Sequence, residues 1–405
     1  MRISFIITTY NIESYIKQCL DSLRDCVQGG DQIIIIDDGS TDSTPDIIRD
    51  EIATNNFGED IEVKEVFLGV NTIGGVGIAG NIGIDLASRE AIFFVDGDDF
   101  IDVEGFNRAR TTFESSSSDI MLCNYMEYDE KNGAQKHPAD DQKWNNINHQ
   151  WDIEHRRLKA LDLIAVPWRK FYLSEILKAG IRFPEGDFFF EDNPFHWRVC
   201  RAANSITFFN ETICHHRVNR PGQTMTSTGS ELQAFFTHFE TIFFEIPERD
   251  DSHRNLACRW LLNNMSWHLN KLKPEARWGY AKAASKTLSL IPDPIWSGEL
   301  QEFFVSKNIW PIAERLRVGE VWDVVESMAA KQRHEEIRTS LKRIHDDLSN
   351  LRNAHRHSAN DSKKARELLQ ARQYIDEFEA LLSIEATARD ASNSGAPDKV
   401  RSAVG

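Results

Sequence analysis

Two acidic runs carry the residue types most suited to chemistry, Asp37-Asp38 and Asp96-Gly97-Asp98-Asp99. Three carboxylates within four residues repel one another, and they coexist only when solvated, hydrogen-bonded or bridged by a cation. Oxygen donors of this kind suit magnesium or manganese, ions that often join protein carboxylates to the phosphates of a substrate. The plainer reading of each run is an acidic turn that caps a helix.

The charge balance sharpens the first reading. Lys+Arg 47 against Asp+Glu 63 leaves a net charge of -16, which excludes a general binder of nucleic-acid backbones. An acidic protein that takes a phosphorylated ligand must neutralise it locally, with a metal ion, a few placed basic groups or backbone N–H groups. Hydrophobic residues at 41% and charged residues at 27% are ordinary soluble usage, and 405 residues at about 150 per domain give two to three domains. Cys19, Cys26, Cys123, Cys200, Cys214 and Cys258 form no C-x-x-C pair, so reduced thiols in a cytoplasmic protein are expected rather than a zinc ribbon or a disulfide framework. Thr8-Thr9-Tyr10-Asn11 interrupts the apolar N-terminus too early for a secretory segment, and no run of 18 apolar residues occurs. No transmembrane segment is expected, and peripheral contact with the inner face of a membrane stays open.

The elements that must position these carboxylates alternate strand and helix over the first hundred residues, the pattern of a parallel sheet with crossover helices. Strands are expected at 3–8, 33–36, 61–67 and 91–95, with helices at 12–23, 44–52 and 79–88. The acidic runs then fall at two strand ends on one edge of the sheet, where such sheets bind ligands. Residues 111–228 read as mixed structure. Residues 229–325 read as helical, with Trp260, Trp267, Trp278, Trp296, Trp310 and Trp322 as candidate core anchors. Beyond 326, Ile337, Leu341, Ile344, Leu348 and Leu351 fall at heptad spacing. This short coiled-coil-like seam over 326–390 predicts either a helical hairpin with 368–384 in a monomer or a coil joining a homodimer, followed by a disordered tail at 391–405.

Six motifs in register resemble the family 2 glycosyltransferases: Ile6-Ile7-Thr8-Thr9-Tyr10-Asn11, Ile36-Asp37-Asp38-Gly39-Ser40-Thr41-Asp42, Asn81-Ile82-Gly83-Ile84, Phe94-Val95-Asp96-Gly97-Asp98-Asp99, Pro167-Trp168-Arg169-Lys170-Phe171-Tyr172 and Glu191-Asp192-Asn193-Pro194-Phe195. The resemblance covers residues 1 to about 225 and implies an α/β fold of GT-A type, its nucleotide-sugar half at 1–110 and its acceptor half at 111–228. It also implies an inverting, metal-dependent transfer of a sugar from a nucleotide-diphosphate donor, UDP-linked by family habit, to a hydroxyl of a surface or secreted glycan.

By that resemblance Thr8, Tyr10 and Asp38 hold the nucleobase and Asp96 the ribose. Asp98 binds Mn2+ or Mg2+, with Asp99 as a secondary ligand. Asp192 is the general base, with Glu191 orienting it or acting as the base itself. A histidine completes the metal site; successive strand side chains face opposite ways, so one of His215 and His216 points inward, and His216 is the favoured one. Arg217 reaches the diphosphate. Two departures stand against the family pattern: Gly80, not a basic residue, precedes Asn81, and Arg169 replaces the usual asparagine after Trp168. Trp168 is either an acceptor platform or a core aromatic.

Two other function classes fit parts of the chain. Gly75-Val76-Gly77-Ile78-Ala79-Gly80 matches G-x-G-x-x-G literally, the fingerprint of an NAD-binding oxidoreductase, although the first glycine lies about seven residues past the strand rather than in a tight turn off it. A catalytically silent transferase-like scaffold acting through its C-terminal helices is the other.

Overall fold

The structure, a computed structural model, describes residues 1–54, 57–58, 60–148, 150–221, 228–357, 369–374 and 376. The chain divides into two compact units, Met1–Val324 and Val325–Gly405.

In the first unit, β1 (Ile3–Thr9), α1 (Ile16–Arg24), β2 (Gln32–Asp37), α2 (Thr44–Thr54), β3 (Glu62–Phe67), α3 (Gly77–Leu86) and β4 (Ala91–Asp96) follow in the expected alternation. The strands pair in parallel in the order β3-β2-β1-β4. β2 is buried along its whole length, as a run of four isoleucines covered on both faces should be. The register sets Thr9 beside Asp37 and Thr8 beside Asp96, so the acidic strand ends share one edge.

α1 begins at Ile16 rather than Ile12, and the reason is local. Asn11, at φ 49°, takes the hydroxyl of Ser40 on its N–H, Ile12 takes Thr44, and Glu13 takes the Asp42 carboxylate. The loop after β2 therefore satisfies the N–H groups that a helix starting at Ile12 would leave free. Ile16, Cys19, Leu20 and Leu23 form the buried stripe. α3 lies so close to β1 that a Cβ on Gly83 would stand 2.2 Å from Ile6 Cγ2.

The second half of the unit continues the sheet. After β5 (Phe100–Ile101) and α4 (Val103–Ser116) come β6 (Ile120–Asp129), β7 (Gln135–Lys136), α5 (Ile153–Asp162), β8 (Lys170–Leu173), α6 (Ser174–Lys178), α7 (Asp192–Ala202) and β9 (Ile206–Val218). β8 joins β4 antiparallel, and β6, β9 and β5 extend the sheet beyond it. This α/β sheet is the expected fold class.

The helices α8 (Ala234–Glu245), α9 (Asp251–Leu269), α10 (Arg277–Leu288) and Ile309–Arg317 follow. Of the six candidate tryptophan anchors, Trp296 and Trp310 are buried and stacked at 4.7 Å. Trp267, Trp278 and Trp322 are exposed, because helical periodicity places them on the outer sides of their helices. The last long helix runs Val321–His357. Along it Ile337 and Ile344 are 40% and 45% exposed, so the heptad seam is an open apolar stripe in this part of the helix. The gap at 358–361 and most of 368–390, on which the hairpin depends, lie outside the described residues, as does the 391–405 tail.

One buried ion pair ties the start of the sheet to α4. Asp31 is fully buried; it accepts both terminal nitrogens of Arg110 at 2.7 and 2.8 Å and the N–H groups of Ile3 and Gln28. Removing one partner strands the other charge, so Asp31→Asn should lower stability by about 3 kcal/mol, read by urea unfolding at neutral pH.

Candidate functional site

At the carboxyl end of β4 the chain turns sharply through Asp96-Gly97-Asp98-Asp99. A Cβ on Gly97 would stand 2.7 Å from Ile12 Cδ1 and 2.8 Å from Thr9 Cγ2, so only glycine lets the run press against β1 there. Burial first, then Asp99 and Asp98, push the Asp96 carboxyl well above the usual range, against the pull of His216 and Arg220.

The cations that balance these acids come from β9 and the residues after it. His216 Nδ1 sits 2.8 Å from Asp99 Oδ2, and its ring stacks on Trp168 at 4.9 Å. Burial lowers the His216 pKa, but Asp99, then Asp98 and Asp96, outweigh it and hold the imidazolium up to about 9. His215 faces the other way, stacked on Phe100 with Nε2 3.5 Å from Asp102. Alternation along β9 thus brings His216, not His215, to the acids. Trp168 is a buried core aromatic under His216 rather than an exposed platform.

Arg217 is buried and engaged within the protein. Its backbone N–H donates to Asp99 Oδ1 at 2.7 Å and its Nε to the Asp98 carbonyl at 2.8 Å; its terminal nitrogens hold Glu130 and Gln18. It is 3% exposed and lies over the rings of Tyr15, Tyr128 and Phe100. The side chain is therefore a structural bolt between β9, α1 and the acidic turn. Arg220, unmarked by any motif, takes the free carboxylate instead: its Nε donates to Asp98 Oδ2.

Asp38 is likewise engaged within the protein. Its carboxylate accepts the Thr72 N–H at 3.0 Å, the Thr72 hydroxyl at 2.9 Å and the Asn71 amide at 3.1 Å. It fastens the 68–76 loop. Asp37 is a buried brace, accepting Thr9 and Ser40. Thr8 and Tyr10 lie half-buried and exposed at the carboxyl end of β1, open to a ligand on that edge.

The Glu191-Asp192 pair stands at the start of α7. Phe195, one turn into the helix, packs on Phe94 at 5.9 Å, two residues before Asp96. Lys170, whose charge Asp192 feels, opens β8 and pairs with Leu122 of β6. Burial, reinforced by Glu191 and opposed by Lys170, raises the Asp192 carboxyl to about 7. Glu191 is buried and raised by that burial. Its Oε1 accepts the Gly77 N–H at 3.0 Å.

That last contact explains the glycine run. A Cβ on Gly75 would stand 2.3 Å from Glu191 Oε1, one on Gly74 2.3 Å from the Gly186 carbonyl, and one on Gly80 2.9 Å from Phe183. Asn81 completes the junction, exchanging hydrogen bonds with the Phe183 backbone and donating to Glu185. The α3 N-terminus already holds an anion of its own chain, so the glycines serve close packing and a dinucleotide pyrophosphate has no place there.

In donor chemistry the acid cluster fits a hard divalent cation, since Asp96, Asp98 and Asp99 offer crowded oxygens with an imidazole beside them. In geometry Asp98 and Asp99 are turned to protein cations, Arg220 and His216. Among the described residues no three His, Cys, Asp or Glu side chains stand ready around one point. Among the described residues, too, no helix is long and apolar enough to cross a membrane. The Arg217 assignment is testable by stability alone: Arg217→Gln should cost about 3 kcal/mol in chemical denaturation, because Glu130 and the acidic turn lose a buried counter-charge.

Residues 4–179 match the model of the family described as Glycosyl transferase family 2. A putative glycosyltransferase EpsH of Bacillus subtilis is 28% identical over 223 residues, 54% of this chain and 61% of that protein. The poly(ribitol-phosphate) β-N-acetylglucosaminyltransferase TarS of Staphylococcus aureus is 26% identical over 268 residues, 65% of this chain and 44% of that protein. The chain thus spans less than two thirds of the length of these relatives. The crystal structure of S. aureus TarS 1–349 in complex with UDP-GlcNAc shares the fold, with a TM-score of 0.65 at 22% identity over 82% of this chain and 92% of that one. Over residues 4–179 the chain is thus similar to glycosyl transferase family 2, and its fold is that of the TarS structure.

Proposed function

We propose that this protein is an inverting glycosyltransferase that moves a sugar from a UDP-linked donor to a hydroxyl of a glycan acceptor, with a divalent metal at the acidic turn. The observation that carries the reading is Asp192, a carboxyl raised to about 7 and anchored through Phe195 to the strand that ends in the acidic turn. A general base works best with its pKa near the operating pH. The relatives add the donor class, since TarS is named as an N-acetylglucosaminyltransferase and was crystallised with UDP-GlcNAc.

Asp192 accepts the proton of the acceptor hydroxyl as that oxygen attacks the donor's anomeric carbon from the face opposite the leaving diphosphate. One attack with no enzyme nucleophile inverts the configuration. Glu191 is an orienting group: its carboxylate is fixed on the Gly77 N–H, and its charge helps keep Asp192 basic. Thr8 and Tyr10 line the nucleobase position and Asp96 the ribose position. A divalent ion, when bound by Asp98 with Asp99 and His216 beside it, neutralises the leaving diphosphate.

Two outcomes test the reading in a UDP-release assay with UDP-sugars and acceptor glycans. Asp192 must be deprotonated to act, so its raised pKa places the active form above about pH 7. The kcat/KM profile should climb through pH 7 to a plateau, and Asp192→Asn should cost about a hundredfold to ten-thousandfold with UDP affinity kept. Glu191→Gln should cost less, and the reverse order would exchange the two roles. For the metal, Asp98→Ala or excess chelator should remove most turnover, and full activity in chelator would sink that assignment.

A further inference from the structure

We propose that Arg220 is a resident counter-cation that occupies Asp98 in the donor-free protein and yields it when a divalent metal and a nucleoside diphosphate bind together. This rests on the donor and metal reading above and goes beyond it by naming what holds the metal-binding carboxylate beforehand.

The neighbouring arginines make the case by contrast. Arg217 has its backbone N–H on Asp99, its Nε on the Asp98 carbonyl and its terminal nitrogens on Glu130 and Gln18. It is packed among three aromatic rings, and moving it would dismantle the turn. Arg220 bears on the Asp98 carboxylate itself through Nε, and its Nη1 reaches the Pro221 carbonyl at 3.0 Å. Both partners of this ion pair keep partial solvent access, 15% for the Arg220 side chain and 13% for Asp98. The pair is therefore exchangeable where the Arg217 bolt is not.

Charge decides what the exchange requires. A divalent ion placed on Asp98 would stand within a few ångströms of the Arg220 guanidinium, and like charges at that separation repel strongly in a partly buried site. The metal alone must displace Arg220 and leave it without its carboxylate. A diphosphate arriving with the metal offers that guanidinium new anionic oxygens of the kind arginine binds well. Metal and nucleotide then each favour the other's binding, and the coupling is reciprocal. The turn also gains an economy: Asp98 is never left as an uncompensated carboxylate beside Asp96 and Asp99.

The test is calorimetric titration of Mn2+ into the full chain, with and without UDP, for the wild type and the Arg220→Ala, Arg220→Lys and Asp98→Asn variants. Without nucleotide, Arg220→Ala should bind Mn2+ about tenfold tighter than the wild type, within the usual range of coupling between sites. The gain in Mn2+ affinity that UDP brings should shrink in the same variant, while Arg220→Lys stays near the wild type. Arg220→Gln replaces Arg220→Ala if the latter fails to fold. Mn2+ binding that depends on Asp98 but does not tighten in Arg220→Ala overturns the exchange and leaves the metal assignment standing. Equal binding by Asp98→Asn overturns both.

Discussion

The structure depends on one electrostatic constraint, the crowding of carboxylates where β4 ends. Asp96, Asp98 and Asp99 follow from a strand that must stop there and a turn that only Gly97 permits. Left alone they would protonate or push the turn apart. The chain answers with β9 and the residues beyond it, which return about 120 positions later carrying His216, Arg217 and Arg220. Much of the sheet beyond β4 can be read as the means of delivering those cations: β8, β6 and β9 are the route from the acidic turn to its counter-charges.

The three cations divide the work by burial. Arg217, nearly inaccessible and engaged by every nitrogen, fixes the turn to α1 and to Glu130 just past β6. His216, stacked on Trp168 and bonded to Asp99, is held charged well above its ordinary pKa. Arg220 is the most exposed of the arginine pair and bears on the carboxylate best placed for a ligand. The three thus run from a nearly inaccessible charge to a partly exposed one, in a protein whose net charge of -16 supplies no general attraction for an anion.

The Glu191-Asp192 pair rests on a different device, the near-contact of two backbones. The glycines at 74–80 allow α3 to approach the 183–191 segment until a carboxylate of one meets an N–H of the other. That contact sets Glu191, and Glu191 with burial sets the basicity of Asp192. A run that matches a dinucleotide fingerprint letter for letter is here a packing surface, because what the glycines admit is a neighbouring chain segment and not a pyrophosphate.

By itself the sequence determined the alternation of strands and helices, the placing of the acidic runs at strand ends, and the two-residue period along β9 that allows only one histidine to face the acids. These are local matters, decided by hydrophobic period and by turn residues within a few positions. The start of α1 was not local: side chains from the loop after β2 cap Asn11 to Glu13 and hold them out of the helix. Nor were the charge partnerships. Nothing near Arg217 or Arg220 in the chain says which meets a backbone carbonyl and which a carboxylate, and Asp38 could not be known to fasten the 68–76 loop before Asn71 and Thr72 were brought to it. Partners separated by 30 to 120 residues are chosen by the fold, because each buried charge must find its opposite in three dimensions and the chain between them carries no record of the choice.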